Sequence, residues 1–235
     1  MESGILYLIP TTLGESDITS VIPEQVRRIA ASLDTFIVEH PKTARHFLKQ
    51  IGTDSPLQEL TLLTLDEHTK PAQLTELLKP LLEGKNVGLL SEAGCPAVAD
   101  PGASLVKLAH EKNIKVVPLV GPSSILLALM ASGLNGQRFA FHGYLPADRQ
   151  ERVKKILELE VESRKLDQTQ LFIETPYRNL QLFESLIQTC DIHTRLCIGT
   201  DITLASESII TKTISEWRKT PPEIHKKPSI FLLYS

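Results

Sequence analysis

The sequence predicts an α/β protein of two α/β domains, with a mostly parallel sheet in residues 1–118 and a mixed sheet in residues 119–235. Three observations carry this. Through the first half, apolar runs of strand length alternate with amphipathic helical runs, the pattern of parallel strands joined by right-handed crossovers with helices on both faces. In the second half the strand runs follow each other more closely, as antiparallel pairs do. A chain of 235 residues also exceeds one average domain.

Residues 4–9 read as an apolar strand, followed by the turn-rich Pro10-Thr11-Thr12-Leu13-Gly14-Glu15-Ser16 and one amphipathic helix carrying Val21, Ile22, Val26 and Ile29. The unit repeats as a strand at 35–38 with a helix over 41–51. It repeats again as a strand at 59–65 with a helix holding Leu74, Leu77, Leu78 and Leu81, ended by Gly84 at the C′ position. A strand at 87–90, a helix at 103–112 and a strand at 114–118 complete the first sheet. The loops that begin at Pro10, Glu39, Asp66 and Ser91 should then share the carboxyl edge, where such sheets bind ligands. Gly121-Pro122-Ser123-Ser124 marks the passage to the second domain. There follow a helix at 123–132, a strand at 138–141, a loop at 142–148 and a charged helix to about residue 164, read as a solvated face. A strand at 170–173, a helix at 176–189 and strands at 195–198, 207–213 and 229–234 finish the chain.

The net charge of −3 argues against a surface coated in basic residues, although a local positive cleft is invisible in that total. Cys95, Cys190 and Cys197 lack paired metal-ligand spacing, and three thiols without an export signal read as a reduced, cytoplasmic protein. The opening MESGILYLIP has no basic n-region, and the most apolar helical run, at 124–134, is too short to span a bilayer, so no membrane is expected.

The most informative stretch is VGLLSEAGCPAVADPGASL, at 87–105. After the strand, Gly94 lets backbone approach a ligand, Pro96 and Pro101 stiffen the loop, and Ala93, Ala97 and Ala99 keep side chains out of the way. Asp100-Pro101 then opens a helix with a carboxylate at its cap and proline at its first position.

Four ordered motifs carry a family resemblance over nearly the whole chain. Ser91-Glu92-Ala93-Gly94-Cys95-Pro96 with Ala99-Asp100-Pro101-Gly102 is the first, and 117–123 with its Gly121-Pro122-Ser123 is the second. Phe141-His142-Gly143-Tyr144-Leu145-Pro146 is the third, and Glu174-Thr175-Pro176-Tyr177-Arg178 the fourth. Together they resemble the tetrapyrrole-methylase superfamily of S-adenosylmethionine-dependent methyltransferases. Within it they resemble the ribosomal small-subunit methyltransferase I branch, which methylates a cytidine ribose 2′-hydroxyl. The chain departs from that branch at Pro10-Thr11-Thr12-Leu13-Gly14-Glu15, where the branch has Ala-Thr-Pro-Ile-Gly-Asn. It departs again at Glu39-His40-Pro41-Lys42-Thr43, where the branch has Glu-Asp-Thr-Arg. The substrate-facing half has thus changed more than the cofactor half.

The resemblance implies a homodimer with S-adenosylmethionine in a cleft between the domains, touched by Leu13, Gly94, Cys95, Val98, Ser123, Ser124, Thr175 and Ser229. It implies ribosomal RNA or the small ribosomal subunit as partner. Methyl transfer to a hydroxyl also needs a proton acceptor. Glu92 is the first candidate, followed by Glu39 and by Asp100, which has helix capping as its other reading. Lys42, Arg45 and Arg178 suit an acidic backbone, while Arg178 has an ion pair with Glu174 as its alternative. Cys95 reads as packing and His142 as a hydrogen-bonded loop residue. Methylation of a small molecule such as a tetrapyrrole, and a cofactor-binding protein without catalysis, are the competing functions.

Overall fold

A computed structural model describes residues 3–235; Met1 and Glu2, which begin the segment read above for export, lie outside the described residues. The chain divides into a first unit ending at Ser123 and a second, Ser124–Ser235. In chain order the first unit contains β1 (Ile5–Ile9), α1 (Ile18–Val21), α2 (Glu24–Ala31), β2 (Thr35–Val38), α3 (Pro41–Ile51) and β3 (Thr61–Thr64). It continues with α4 (Pro71–Leu77), α5 (Lys79–Leu82), β4 (Val87–Leu90), α6 (Gly102–Glu111) and β5 (Lys115–Pro118). The strand order is β3-β2-β4-β1-β5, and every pair of these strands is parallel.

Alternation along each strand sorts side chains to the two faces. Ile9, Phe36 and Val38 pack with Val26, Ala30 and Phe47 on one face. Leu6, Ile37 and Leu89 pack with Leu78, Leu81 and Leu105 on the other. The helices after β1 and β2 therefore cover one face, and those after β3 and β4 cover the opposite face. Since β4 lies beside both β1 and β2, the chain leaves adjacent strands in opposite directions there. That topological switch opens a crevice at the carboxyl edge.

Two helices expected as single pieces are broken, each at a proline. Ile22, which precedes Pro23, is extended at φ −109° and ψ 115°, so the first helix becomes α1 and α2. Pro80 cannot donate the helical N–H, and the second helix divides into α4 and α5 at Leu78. Gly84 closes α5 as expected, left-handed at φ 88°, with its N–H bonded to the Leu81 carbonyl at 3.0 Å.

The second unit contains α7 (Ser124–Ser132), β6 (Phe139–Tyr144), α8 (Arg149–Leu166), β7 (Thr169–Glu174) and α9 (Asn179–Thr189). Then come β8 (Arg195–Thr200), β9 (Ser208–Thr213), α10 (Ile214–Trp217) and β10 (Ser229–Tyr234). The order is β6-β7-β10-β8-β9, with β6 and β7 parallel and the other neighbours antiparallel, which is the mixed sheet the sequence predicts. Phe172 and Phe231 stack at 6.0 Å in its core, and the Trp217 indole donates to the Leu196 carbonyl at 2.8 Å.

Three details differ from expectation. β6 continues through His142 and Gly143 to Tyr144 across a register shift, so His142 is a strand residue; its Nε2 lies 2.6 Å from Gln170 Oε1. α9 begins at Asn179 because residues 175–178 form a turn tied to the Glu174 carboxylate. α8 is more than a solvated face. Arg152 is buried and donates to Ser185 Oγ at 3.0 Å, and buried Glu160 accepts from the Asp191 N–H at 2.8 Å. Among the described residues no helix is long and apolar enough to cross a membrane.

Candidate functional site

The loops after β1 and β4 are joined by a small hydrogen-bonded network. The Gly94 carbonyl accepts from the Thr11 N–H at 3.0 Å and from the Ser91 hydroxyl at 2.8 Å. The Thr11 hydroxyl donates to the Ser91 carbonyl at 3.3 Å. Thr11 and Ser91 are buried, so these bonds satisfy polar groups that water does not reach. Gly94 has φ +73°, and a Cβ there would lie 3.1 Å from Leu13 Cδ2 and 3.4 Å from the Pro122 carbonyl oxygen. Cys95 Sγ lies 3.5 Å from that same carbonyl. Leu13, Gly94 and Cys95 are thus brought together with the segment leading to Ser123. Burial pushes the Cys95 thiol up, the direction that disfavours a nucleophilic thiolate.

Beyond Cys95 the loop contains two left-handed alanines, Ala97 at φ 65° and Ala99 at φ 58°. Each costs about 1–2 kcal/mol relative to ordinary backbone. Asp100 offsets this: its Oδ1 accepts from the Ala97 N–H and the Gly102 N–H, both at 2.8 Å. The cap is assigned one residue later than the sequence suggests, at Pro101, with α6 starting at Gly102, yet the Asp100 carboxylate still bonds the helix's first N–H. Between the alanines Val98 is left 50% exposed. A glycine that admits backbone approach, a small-residue loop and an uncovered Val98 leave this edge open to a small ligand.

The three candidate carboxylates share one electrostatic neighbourhood. Glu39, immediately after β2, has its carboxyl pushed up chiefly by burial, then by the Glu92 charge; Asp100 and Glu67 add to this and His40 opposes it. His40 Nδ1 lies 3.5 Å from Glu92 Oε1. Burial also pushes the Asp100 carboxyl up, against its two N–H bonds. Glu92 alone of the three lines a cleft of about 250 Å³, formed by residues 11–15 and 91–93 and by Thr43, Ala44, His46, Phe47 and Gln50 of α3. Apart from Thr43, quoted among the departures from the branch, sequence reading singled out none of these α3 residues, although the i, i+3, i+4, i+7 spacing of Thr43, His46, Phe47 and Gln50 places them on one helix face. Lys42 and Arg45 are exposed on the same helix.

In the second unit, Ser124 is the first residue of α7, directly after Ser123. The Thr175 N–H donates to Glu174 Oε1 at 2.6 Å, and Arg178 Nε and Nη2 reach the same oxygen at 2.9 and 2.7 Å. The alternative read for Arg178, an ion pair with Glu174, is therefore present. Ser229 pairs with Glu174 across β7 and β10, which sets it beside Thr175. Its hydroxyl accepts from Asn179 Nδ2 at 3.2 Å and donates to the Lys227 carbonyl at 3.1 Å.

Residues 7–217 match the family model of the Tetrapyrrole (Corrin/Porphyrin) Methylases. The chain is 32% identical over 218 residues to the Ribosomal RNA small subunit methyltransferase I of Bacillus subtilis, covering 92% of this chain and 69% of that protein. It is 31% identical to the protein of the same name from Buchnera aphidicola subsp. Schizaphis graminum, covering 99% of this chain and 78% of the relative. Among solved structures, the methyltransferase CobJ superposes with a TM-score of 0.65 at 17% identity, over 100% of this chain and 95% of that one. The uroporphyrin-III-C-methyltransferase from Thermus thermophilus gives 0.57 at 16% identity, over 98% and 94%. At those identities the structures speak to the fold alone, which they share with nearly the whole of this chain. Family model, relatives and fold together establish that this chain belongs to the tetrapyrrole methylase family of methyltransferases.

Proposed function

We propose that this protein is an S-adenosylmethionine-dependent methyltransferase that modifies a ribose 2′-hydroxyl of ribosomal RNA in the cytoplasm, working as a homodimer. The observation that carries the reading is the agreement of relatives at about 30% identity over most of the chain, all named Ribosomal RNA small subunit methyltransferase I. The bonded loop around Gly94, open to close backbone approach, supports it.

In the first unit, Leu13, Gly94, Cys95, Val98 and Ser123 are the positions assigned to the cofactor; in the second they are Ser124, Thr175 and Ser229. When bound, S-adenosylmethionine supplies an electrophilic methyl group on a sulfonium. The chain's own task is to align an acceptor oxygen with that carbon and take its proton. Glu92, with His40 at 3.5 Å and the cleft at its side, is the assigned proton acceptor. Glu39, whose carboxyl is pushed up by burial and then by the Glu92 charge, is the second candidate for that proton. Asp100 is assigned to shaping the loop, through its two backbone bonds. Lys42 and Arg45 face an acidic acceptor, whereas Arg178 is occupied by Glu174.

Calorimetric titration with S-adenosylmethionine and S-adenosylhomocysteine tests the reading. Saturable binding is expected in the wild type and in Glu92→Gln, with methyl transfer in the variant lowered roughly 10²–10⁴-fold. A flat titration in the wild type would remove the cofactor assignment.

A further inference from the structure

His40 occupies the capping position of α3, directly before Pro41, and its side chain makes no capping bond there. Such positions favour Ser, Thr, Asp or Asn, whose side-chain oxygen accepts from the helix's first N–H groups. The resembled branch has Asp after its Glu, where this chain has Glu39-His40. The imidazole meets a neighbouring loop instead. Its Nδ1 lies 3.5 Å from Oε1 of Glu92, which lines the cleft.

The two residues differ in how firmly they are held. The His40 backbone is extended at φ −125° and ψ 112°, as a residue before proline must be, and its carbonyl accepts from the Ala44 N–H at 3.1 Å. The loop backbone on either side of Glu92 is steadied by the bonds of Ser91 and Gly94. The Glu92 side chain is still 37% exposed, with the rotamer freedom of a long chain that costs entropy to freeze. A proton acceptor must keep one oxygen within hydrogen-bond reach of the hydroxyl it serves. An N–H held on a rigid helix start, bonded to the other oxygen, removes much of that freedom.

Resting on the methyltransferase reading above, we propose that His40 is the positioning residue of Glu92: its Nδ1–H donates to Glu92 Oε1 and leaves Oε2 to take the proton of the acceptor hydroxyl. His40 touches neither donor nor acceptor and acts through Glu92. A separation of 3.5 Å is long for the bond, as catalytic hydrogen bonds are before the substrate complex tightens them. Protonation of the ring leaves the Nδ1–H in place, so the role differs from that of a histidine base, which needs a free nitrogen. The neighbouring carboxyl, Glu39, is raised by burial and by Glu92, and the His40 charge opposes that rise.

The test reads the whole chain in two ways. Nitrogen NMR of the imidazole, in the donor-free protein at alkaline pH, shows which ring nitrogen carries the proton: Nδ1 is expected in the wild type and Nε2 in Glu92→Ala. The second reading is the rate of labelled methyl transfer from S-adenosylmethionine to small ribosomal subunits from a strain lacking this gene, at saturating donor and acceptor. His40→Ala is expected to lower that rate by roughly 10²-fold, with donor affinity by calorimetry unchanged. His40→Asn, whose amide nitrogen takes the place of Nδ1, should recover most of the loss. His40→Gln, whose amide nitrogen takes the place of Nε2, should not. Since the wild-type ring makes no capping bond, none of these variants should unfold more easily, and a merely structural role would not separate Asn from Gln. A wild-type ring protonated at Nε2 overturns the proposal, as does an undiminished rate in His40→Ala or a loss in His40→Asn as deep as in His40→Ala. Failure of the methyltransferase reading shows instead as a flat donor titration of the wild type, and the nitrogen spectrum then still decides the pairing.

Discussion

Replacing Asp100 separates two roles that the sequence leaves open, because alanine and asparagine remove different things. Asp100→Ala deletes the acceptor of two 2.8 Å backbone bonds, to Ala97 and Gly102, in a loop with left-handed Ala97 and Ala99. Each lost bond is worth about 1–1.5 kcal/mol. The loop should therefore lose roughly 2–3 kcal/mol of ordering, which weakens S-adenosylmethionine binding about 30- to 150-fold if the loop must be ordered to bind. Asp100→Asn keeps Oδ1 and both bonds while removing the charge. Burial raises the Asp100 carboxyl, so the folded protein holds this proton more tightly than the unfolded chain does. That contribution to stability is complete below the ordinary aspartate range and is lost as pH rises through the raised value. At neutral pH the charge is thus a liability, and Asp100→Asn should be as stable as the wild type or slightly more so. Calorimetry at neutral pH and urea unfolding from about pH 4 to 8 measure both effects. Equal damage from Asn and Ala would refute the loop-holding role and return Asp100 to the chemistry.

Other perturbations test neighbouring parts of the account. Gly94→Ala places a methyl 3.1 Å from Leu13 at φ +73°; a loss of about 1–2 kcal/mol, read by thermal unfolding, should accompany weaker donor binding. Arg178→Ala strands the Glu174 carboxylate, whose side chain is 1% exposed. Unfolding in urea should show a loss of roughly 3 kcal/mol at neutral pH, and Glu174→Gln in the same background should recover part of it. Val98→Asp, at an exposed and uncovered position, should leave the unfolding midpoint within about 0.5 kcal/mol of wild type while calorimetry shows weaker donor binding.

Periodicity made the parallel sheet legible, because strands such as Phe36-Ile37-Val38 and Val87-Gly88-Leu89-Leu90 are buried on both faces and read as continuous apolar runs. The boundaries that moved have local causes. Pro23 and Pro80 cut helices whose apolar spacing continues across them, so the hydrophobic pattern alone does not show the breaks. β6 runs beyond Phe141 because Gly143 takes a left-handed turn in place while the ladder resumes at Tyr144, a geometry its residue types do not advertise. Buried Arg152 and Glu160 escaped notice because their partners, Ser185 and Asp191, lie far along the chain. In the site, Gly94 and Asp100 were legible through turn and cap chemistry. The cleft wall on α3 was not, since Thr43, His46 and Gln50 are unremarkable until the crevice between β1, β2 and β4 places them beside Glu92.

The central claim is best tested by transfer of a labelled methyl group from S-adenosylmethionine to small ribosomal subunits isolated from a strain lacking this gene, followed by mapping of the modified atom. The account predicts saturable transfer to a ribose 2′-hydroxyl, lost in Glu92→Gln while donor binding persists. A protein that binds the donor but transfers no label to the subunit, or that delivers the methyl group to a base atom, would contradict it.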